Sequence, residues 1–206
     1  MANLGWLVVS KLSGNGNDTV QVSAGSDRTG RTSRTAQMTY KAANCPDVVR
    51  TVIQAGKQEF VTIQSTASEG KNGGTLTLTG KSNSSKLTFS LGSGATLALT
   101  LPTTYTANSA SVNNGAAITG DPGAATEFNF SITFSNIAAN TTVTPKTAQV
   151  IVEDNAGKTS ICTVTQAAGD SYLTVTPDTL ELDWNSYTEQ TSATATVQSN
   201  TNWTIE

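Results

Sequence analysis

Lys146-Thr-Ala-Gln-Val-Ile-Val152, Thr163-Val-Thr-Gln166-Ala-Ala-Gly169 and Tyr172-Leu-Thr-Val175 restate, 112 residues later, the blocks Arg34-Thr-Ala-Gln-Met-Thr-Tyr40, Thr51-Val-Ile-Gln54-Ala-Gly56 and Phe60-Val-Thr-Ile63. One offset held across three separated blocks is not a chance match, and a period of this length is that of a domain rather than of a solenoid repeat. The chain reads as tandem domains.

Within these units the pattern is that of strands. Thr75-Leu-Thr-Leu-Thr79, Phe128-Asn-Phe-Ser-Ile-Thr-Phe134 and Leu180-Glu-Leu-Asp-Trp184 alternate with period two, which places every second side chain on one face of a sheet. Clusters such as Ser13-Gly-Asn-Gly-Asn-Asp18 and Glu153-Asp-Asn-Ala-Gly157 separate the runs with residues that favour turns. No segment keeps a helical period over three turns. Short β-branched strands at close spacing predict an all-β chain of antiparallel, immunoglobulin-like sandwiches, with a barrel as the alternative.

The repeat sets the domain limits. Residues 59–170 make one complete unit, residues 1–58 the back half of another, and residues 171–206 a front half. The expected fold is therefore tandem sandwiches, one complete and one split between the two termini. An Asn three residues before a Trp marks both ends, Asn3 to Trp6 and Asn200 to Trp203; the complete unit has Asn83-Ser-Ser-Lys86-Leu-Thr-Phe89 there, so Leu87 or Phe89 is expected to fill the core in place of tryptophan. The complete unit also carries an insertion at about residues 92–126: Trp6 to Ala36 spans 30 residues, whereas Lys86 to Ala148 spans 62. Leu97, Leu99 and Leu101 alternate within it and predict an extra hairpin.

Composition excludes several functions. A net charge of −3 with 13% charged residues leaves no basic cluster for nucleic acid. No stretch reaches the roughly 20 apolar residues of a membrane span, so no membrane insertion is expected. Met1-Ala-Asn-Leu-Gly-Trp6 lacks the charged and apolar regions of a signal peptide, and the expected location is the cytoplasm where the chain is made, unless it leaves inside a larger assembly. Cys45 and Cys162 occupy non-equivalent places in the two copies and read as free thiols.

Leu173-Thr-Val-Thr-Pro177, Ser199-Asn-Thr-Asn-Trp203, Ser13-Gly-Asn-Gly-Asn-Asp-Thr-Val20 and the closing Val164-Thr-Gln-Ala-Ala-Gly169 together resemble the BACON domain, an immunoglobulin-like module common in Bacteroidetes. The resemblance covers the chain apart from roughly residues 92–126. It implies a sandwich fold. Its implications for activity divide: bacterial BACON modules sit in secreted glycan-degrading enzymes and are proposed to bind carbohydrate or mucin, whereas crass-like phages of Bacteroides carry BACON-like domains in virion proteins. A chain opening at Met1 without an export signal is similar to the second group. The resemblance thus implies a non-enzymatic structural or adhesive part of a virion surface, a head fibre, capsid decoration or tail-associated protein. Its partners would be other capsid or fibre proteins, further copies of itself and possible host surface glycans; a glycan- or mucin-binding module is the alternative.

A half sandwich leaves an inner face and strand edges open, and cannot bury enough apolar area to stand alone. Residues 171–206 are expected to complete residues 1–58, either in a homo-oligomer or within one chain, where the Trp6 and Trp203 strands would compete for one slot. Truncation of a longer chain at Glu206 is the remaining alternative.

Catalysis has little to draw on. The chain contains no histidine, which removes the commonest general base and His-based metal sites. Glu181 and Asp183 alternate with leucines and point outward, and Glu153 and Asp154 open a turn, so all four are expected to be solvated. Ser13-Gly-Asn-Gly16 and Gly92-Ser-Gly94 lack the lysine and helix of a phosphate loop. Asn15, Asn17 and Asp18 offer only a sparse set of oxygens for calcium. No catalytic residue, cofactor or metal is assigned. For partner or glycan contact the candidates are Tyr105 in the insertion and Trp184 and Tyr187 in Asp183-Trp-Asn-Ser-Tyr-Thr-Glu189, although Trp184 follows Leu180 and Leu182 and is as readily a core residue.

Overall fold

The computed structural model describes residues 2–182 and 192–206, and among these no residue is helical. The chain opens with β1 (Ala2–Leu4), β2 (Leu7–Val9), β3 (Val22–Ala24), β4 (Arg34–Tyr40) and β5 (Val48–Gln54). It continues with β6 (Val61–Ile63), β7 (Thr66–Glu69), β8 (Gly74–Ser82), β9 (Leu87–Leu91), β10 (Thr104–Ala107), β11 (Ala110–Asn113), β12 (Phe128–Ile137), β13 (Lys146–Asp154) and β14 (Thr159–Gln166). It ends in the hairpin of β15 (Leu173–Thr176) and β16 (Thr196–Ser199).

Residues 59–170 fold as an immunoglobulin-like sandwich. One sheet runs β11-β10-β12-β8-β6, the other β7-β14-β13-β9. The first strand divides between them: β6 pairs antiparallel with β8, and the chain then crosses over so that β7 pairs parallel with β14. The alternation in sequence becomes alternation in burial. Phe128, Phe130, Ile132 and Phe134 of β12 face inward, and Asn129 and Thr133 between them lie outside. They meet Val150, Val152 and Val164 of the opposite sheet in a single core. Leu87 and Phe89 are both fully buried in that core. The Phe89 ring packs at 5.0 Å from Tyr105 and 5.7 Å from Phe130, tilted and edge-on respectively, the geometries that aromatic quadrupoles favour.

The insertion differs from expectation in one place. Leu97, Leu99 and Leu101 form no strand; Leu97 is buried and the other two pack against the core from an irregular segment. The hairpin lies further along, in β10 and β11, where Asn108 and Ser109 both take positive φ, 47° and 64°, as a tight two-residue turn demands. The run begins against β13, where Thr96 N and Leu97 N both donate to Thr147 O, at 2.8 and 2.9 Å.

The repeat is written into the hydrogen bonds. Arg34 pairs with Gln54 and Tyr40 with Val48 across β4 and β5, as Lys146 pairs with Gln166 and Val152 with Ser160 across β13 and β14. The Gln54 amide donates to Ser26 O at 3.2 Å, and the Gln166 amide to Ala138 O at 2.8 Å. Lys57 N donates to Gly30 O, and Gly169 N to Thr142 O. Gly56 is required by close approach, because a Cβ there would stand 1.9 Å from Arg31 O.

The same correspondence exposes what residues 2–58 lack. β13 is flanked by β14 and β9, but among the described residues β4 pairs with β5 alone. β12 lies between β10 and β8, but among the described residues β3 pairs with β2 alone. Among the described side chains of this half, Leu7, Val9 and Met38 are the buried apolar ones, with Trp6, Val20, Val22, Ala36 and Val52 around them.

Candidate functional site

The two ends of the chain lie at opposite poles of the central sandwich. At the first pole Lys158 Nζ donates to Gln58 Oε1 at 3.2 Å, beside the β13–β14 turn. That turn is fixed by Asp154, which is buried rather than solvated as the sequence suggested; its Oδ1 accepts from Ala156 N and Lys158 N, both at 2.9 Å. At the second pole Lys71 Nζ reaches Asp170, and Asn200 Nδ2 donates to Asp170 O at 2.9 Å. β14, eight residues long, runs from one pole to the other, a span of roughly 25 Å.

Arg31 ties the N-terminal half to the first pole. Its guanidinium donates to both oxygens of Asp121, at 2.6 and 2.8 Å, and to Asn83 O at 2.7 Å, and it also pairs with the buried Glu59. Glu59 in turn accepts from Ser85 N and Ser85 Oγ. A planar fork suits such a convergence of acceptors. Hydrogen bonding from Arg31 holds the Asp121 carboxyl below its ordinary value of 3.8, and the same bond raises the Arg31 guanidinium. A depressed carboxyl contributes stability above its ordinary value and loses it as pH falls through the depressed one. The Gly123 amide, which donates to Asp121 Oδ1 at 3.0 Å, should report this as an NMR shift titrating below pH 3.8. A midpoint at or above that value rules the coupling out.

The N-terminal half carries an open groove of about 470 Å³ between β2 and β4, lined by Val9, Leu12, Val20, Met38 and Tyr40. Leu12 is 70% exposed and Tyr40 42%. At its mouth Lys11 Nζ meets Asp18 at 2.6 Å. Asp18, offered above as a calcium ligand, is thus engaged by a cation, and no group of three or more acidic or thiol side chains gathers among the described residues.

The C-terminal hairpin reproduces the first strands of the central sandwich bond for bond. Val61 pairs with Ser82 and Leu173 with Ser199. Ser82 Oγ donates to Phe60 O, Ser199 Oγ to Tyr172 O. Phe60 N donates to Asn83 Oδ1 at 2.8 Å, Tyr172 N to Asn200 Oδ1 at 3.0 Å. Asn83 Nδ2 donates to Gln58 O, as Asn200 Nδ2 does to Asp170 O. Yet the hairpin is bare. Tyr172, Leu173 and Val175 are exposed, and beyond it Trp203 is 47% and Ile205 86% exposed.

The tryptophan strands do not contend for one place. Trp203 stands three residues after Asn200, as Lys86 does after Asn83, and the next residue, Leu87, opens β9, which pairs with β13. Trp6 leads instead into β2, which pairs with β3 as β10 pairs with β12. The tryptophans alone suggested equivalence; the strand pairing separates them. Trp6 lies half-buried under the Arg34 guanidinium, 4.6 Å from its ring centre.

Tyr105 is 3% exposed and packs on Phe89. The surface-anchor role expected of it gives way to core packing, because it alternates inward with Ala107 on β10. Burial raises its phenol above the usual range. Trp184 and Tyr187 lie outside the described residues. Cys45 and Cys162 are both free, the first exposed and the second buried. The groove at β4 was missed by sequence reading: its leucine stands in a loop and its Met38 and Tyr40 in a strand, with no motif to join them. No protein-family model matches the chain, and no curated protein matches it.

Proposed function

We propose that the chain is a non-enzymatic structural or adhesive component of a phage virion surface, a head fibre, capsid decoration or tail-associated protein, built from BACON-like sandwiches. The observation that carries this reading is the set of BACON-like motifs, Leu173-Thr-Val-Thr-Pro177, Ser199-Asn-Thr-Asn-Trp203 and Val164-Thr-Gln-Ala-Ala-Gly169, in a chain whose described residues are all strand and loop. The motif resemblance supplies the phage setting, and the lack of histidine supports a role without catalysis. Mass spectrometry of purified particles of the phage whose genome encodes the chain should find it at a fixed ratio to the major capsid protein. Its absence from intact particles would overturn the proposal.

The glycan-binding alternative draws support from the exposed aromatic rings of Tyr172 and Trp203, since sugars stack on such platforms. A glycan array separates the two: retention abolished by Trp203→Ala favours the lectin, and no retention favours the structural role.

A further inference from the structure

We infer that the connection between β11 and β12, the last part of the insertion, is a brace between units: through Asp121 it grips Arg31 and holds residues 2–58 in one orientation on the central sandwich, while the C-terminal hairpin is left free to turn. Units joined by a single stretch of chain reorient by default. Attachments at three separate places remove that freedom, and the first joint has them. The chain itself crosses at residues 57–60. Arg31 donates to Asn83 O, just past the end of β8, and the same guanidinium donates to both oxygens of Asp121. The buried Glu59, within the linking stretch, pairs with it as well. The brace does not depend on the virion reading.

Both sides of the grip are anchored. On the first, Arg28 Nε donates to Thr32 O at 2.8 Å and Lys57 N to Gly30 O at 2.9 Å, so the loop carrying Arg31 is fixed to its own unit. On the second, Asp121 Oδ1 accepts from Gly123 N at 3.0 Å, Asn83 Nδ2 donates to Ala124 O at 2.8 Å and Asn108 Nδ2 to Gly120 O at 3.0 Å. Ile118 lies buried in the core of the sandwich, and its amide donates to Ser85 O at 2.9 Å. A pull on Arg31 therefore reaches the core rather than a loose loop. Arg31 and Asp121 are each only 23% exposed, which shields the pair from the solvent screening that weakens surface ion pairs. Its two parallel bonds fix an angle as well as a distance.

The 112-residue offset supplies the comparison. Gly30 and Lys57 correspond to Thr142 and Gly169, which form the same hydrogen bond, Gly169 N donating to Thr142 O at 2.8 Å. In that register Val143 stands at the place of Arg31 and Ser171 at the place of Glu59, and neither can join an ion pair. The second joint carries instead a bond of 3.4 Å from Asn200 Nδ2 to Thr141 O, and Lys71 paired with Asp170, whose side chain is 81% exposed. A long hydrogen bond and a solvent-screened ion pair constrain an orientation weakly. The first unit and the sandwich thus move as one body, with the elbow of the chain at residues 167–171.

Residual dipolar couplings of the backbone amides, measured on the weakly aligned full chain, test this. In the wild type the couplings of β4 and β5 and those of β12 and β13 should fit a single alignment tensor, and those of β15 and β16 should not. Arg31→Ala and Asp121→Ala should each destroy the shared fit, with a loss of alignment in β4 and β5 and none in β12 and β13. The double variant should lose no more than either single one, because both remove the same contact. Slow labelling of the buried Cys162 thiol would verify that the sandwich stays folded, and unshifted amide signals within β4 and β5 would do the same for the first unit. Arg31→Ala leaves the insertion itself untouched, so it decides the matter even where Asp121→Ala disturbs the β11–β12 connection. A wild type that needs separate tensors for the first unit and the sandwich, an Arg31→Ala chain that keeps the shared one, or a C-terminal hairpin that follows the sandwich would each overturn the inference.

Discussion

Phe89→Ala is expected to destabilise the central sandwich by about 3–5 kcal/mol, the range for emptying a well-packed phenylalanine site. Phe89 is 2% exposed, and its ring is held between Tyr105 and Phe130. These neighbours come from β10 and β12 of the opposite sheet, so the cavity would lie between the layers, where neither sheet can close it without giving up its own strand pairing. Against a domain stability of 5–15 kcal/mol, the loss is a large fraction. Cys162 gives the readout. It is fully buried in the same core, and burial raises its thiol, whereas Cys45 is exposed. Under conditions where opening is fast relative to labelling, the Cys162 rate should rise roughly a hundredfold to several thousandfold, with Cys45 unchanged. Thr88→Ala, one residue away on the exposed face of β9, should stay within about 0.5 kcal/mol of wild type. A Phe89→Ala chain labelling at the wild-type rate would mean that the two-layer packing is wrong.

The fold class was legible because burial in a sheet has a period of two and this sequence keeps it. Phe128 to Phe134 alternate in letters and in burial alike. The repeat was legible because the closing strands of a sandwich pair locally, so Arg34 to Gln54 and Lys146 to Gln166 needed similar residues at matching places. What sequence could not reveal was pairing between distant segments. Leu97 to Leu101 alternate too, yet they form no strand: Thr96 N and Leu97 N converge on the one carbonyl of Thr147 in β13 instead of starting a ladder, because alternation reports a shared apolar direction and not a strand register. Tyr105 illustrates the same limit. An aromatic in a long insertion suggests display, but the hairpin that carries it pairs with β12 and turns the ring inward. Asp154 sits among turn residues and is buried all the same, because two backbone amides converge on it. The tryptophans misled in a further way, since equal spacing from an Asn hid the fact that one strand leads to β3 and the other follows β16.

Asn83→Ala and Asn200→Ala should separate a finished sandwich from an unfinished one. Asn83 is 2% exposed; it accepts from Phe60 N at 2.8 Å and donates to Gln58 O at 3.1 Å and Ala124 O at 2.8 Å. Alanine would leave three backbone groups without partners, and each buried one costs about 1–3 kcal/mol. The Ala124 bond is the fully buried one, so the substitution should cost about 1–3 kcal/mol, and loosen both the start of β6 and the end of the insertion at Ala124. Asn200 makes the corresponding bonds to Tyr172 N and Asp170 O but is only partly buried, so water can reach these groups and the single chain should lose less than about 1 kcal/mol. Cys162 labelling should accelerate strongly in the first variant and stay unchanged in the second. Equal effects would mean that the C-terminal hairpin already belongs to the central core, and the case for an unfinished half would fail. One side chain in one local geometry would thus carry two different costs, set by whether the rest of its sandwich is present.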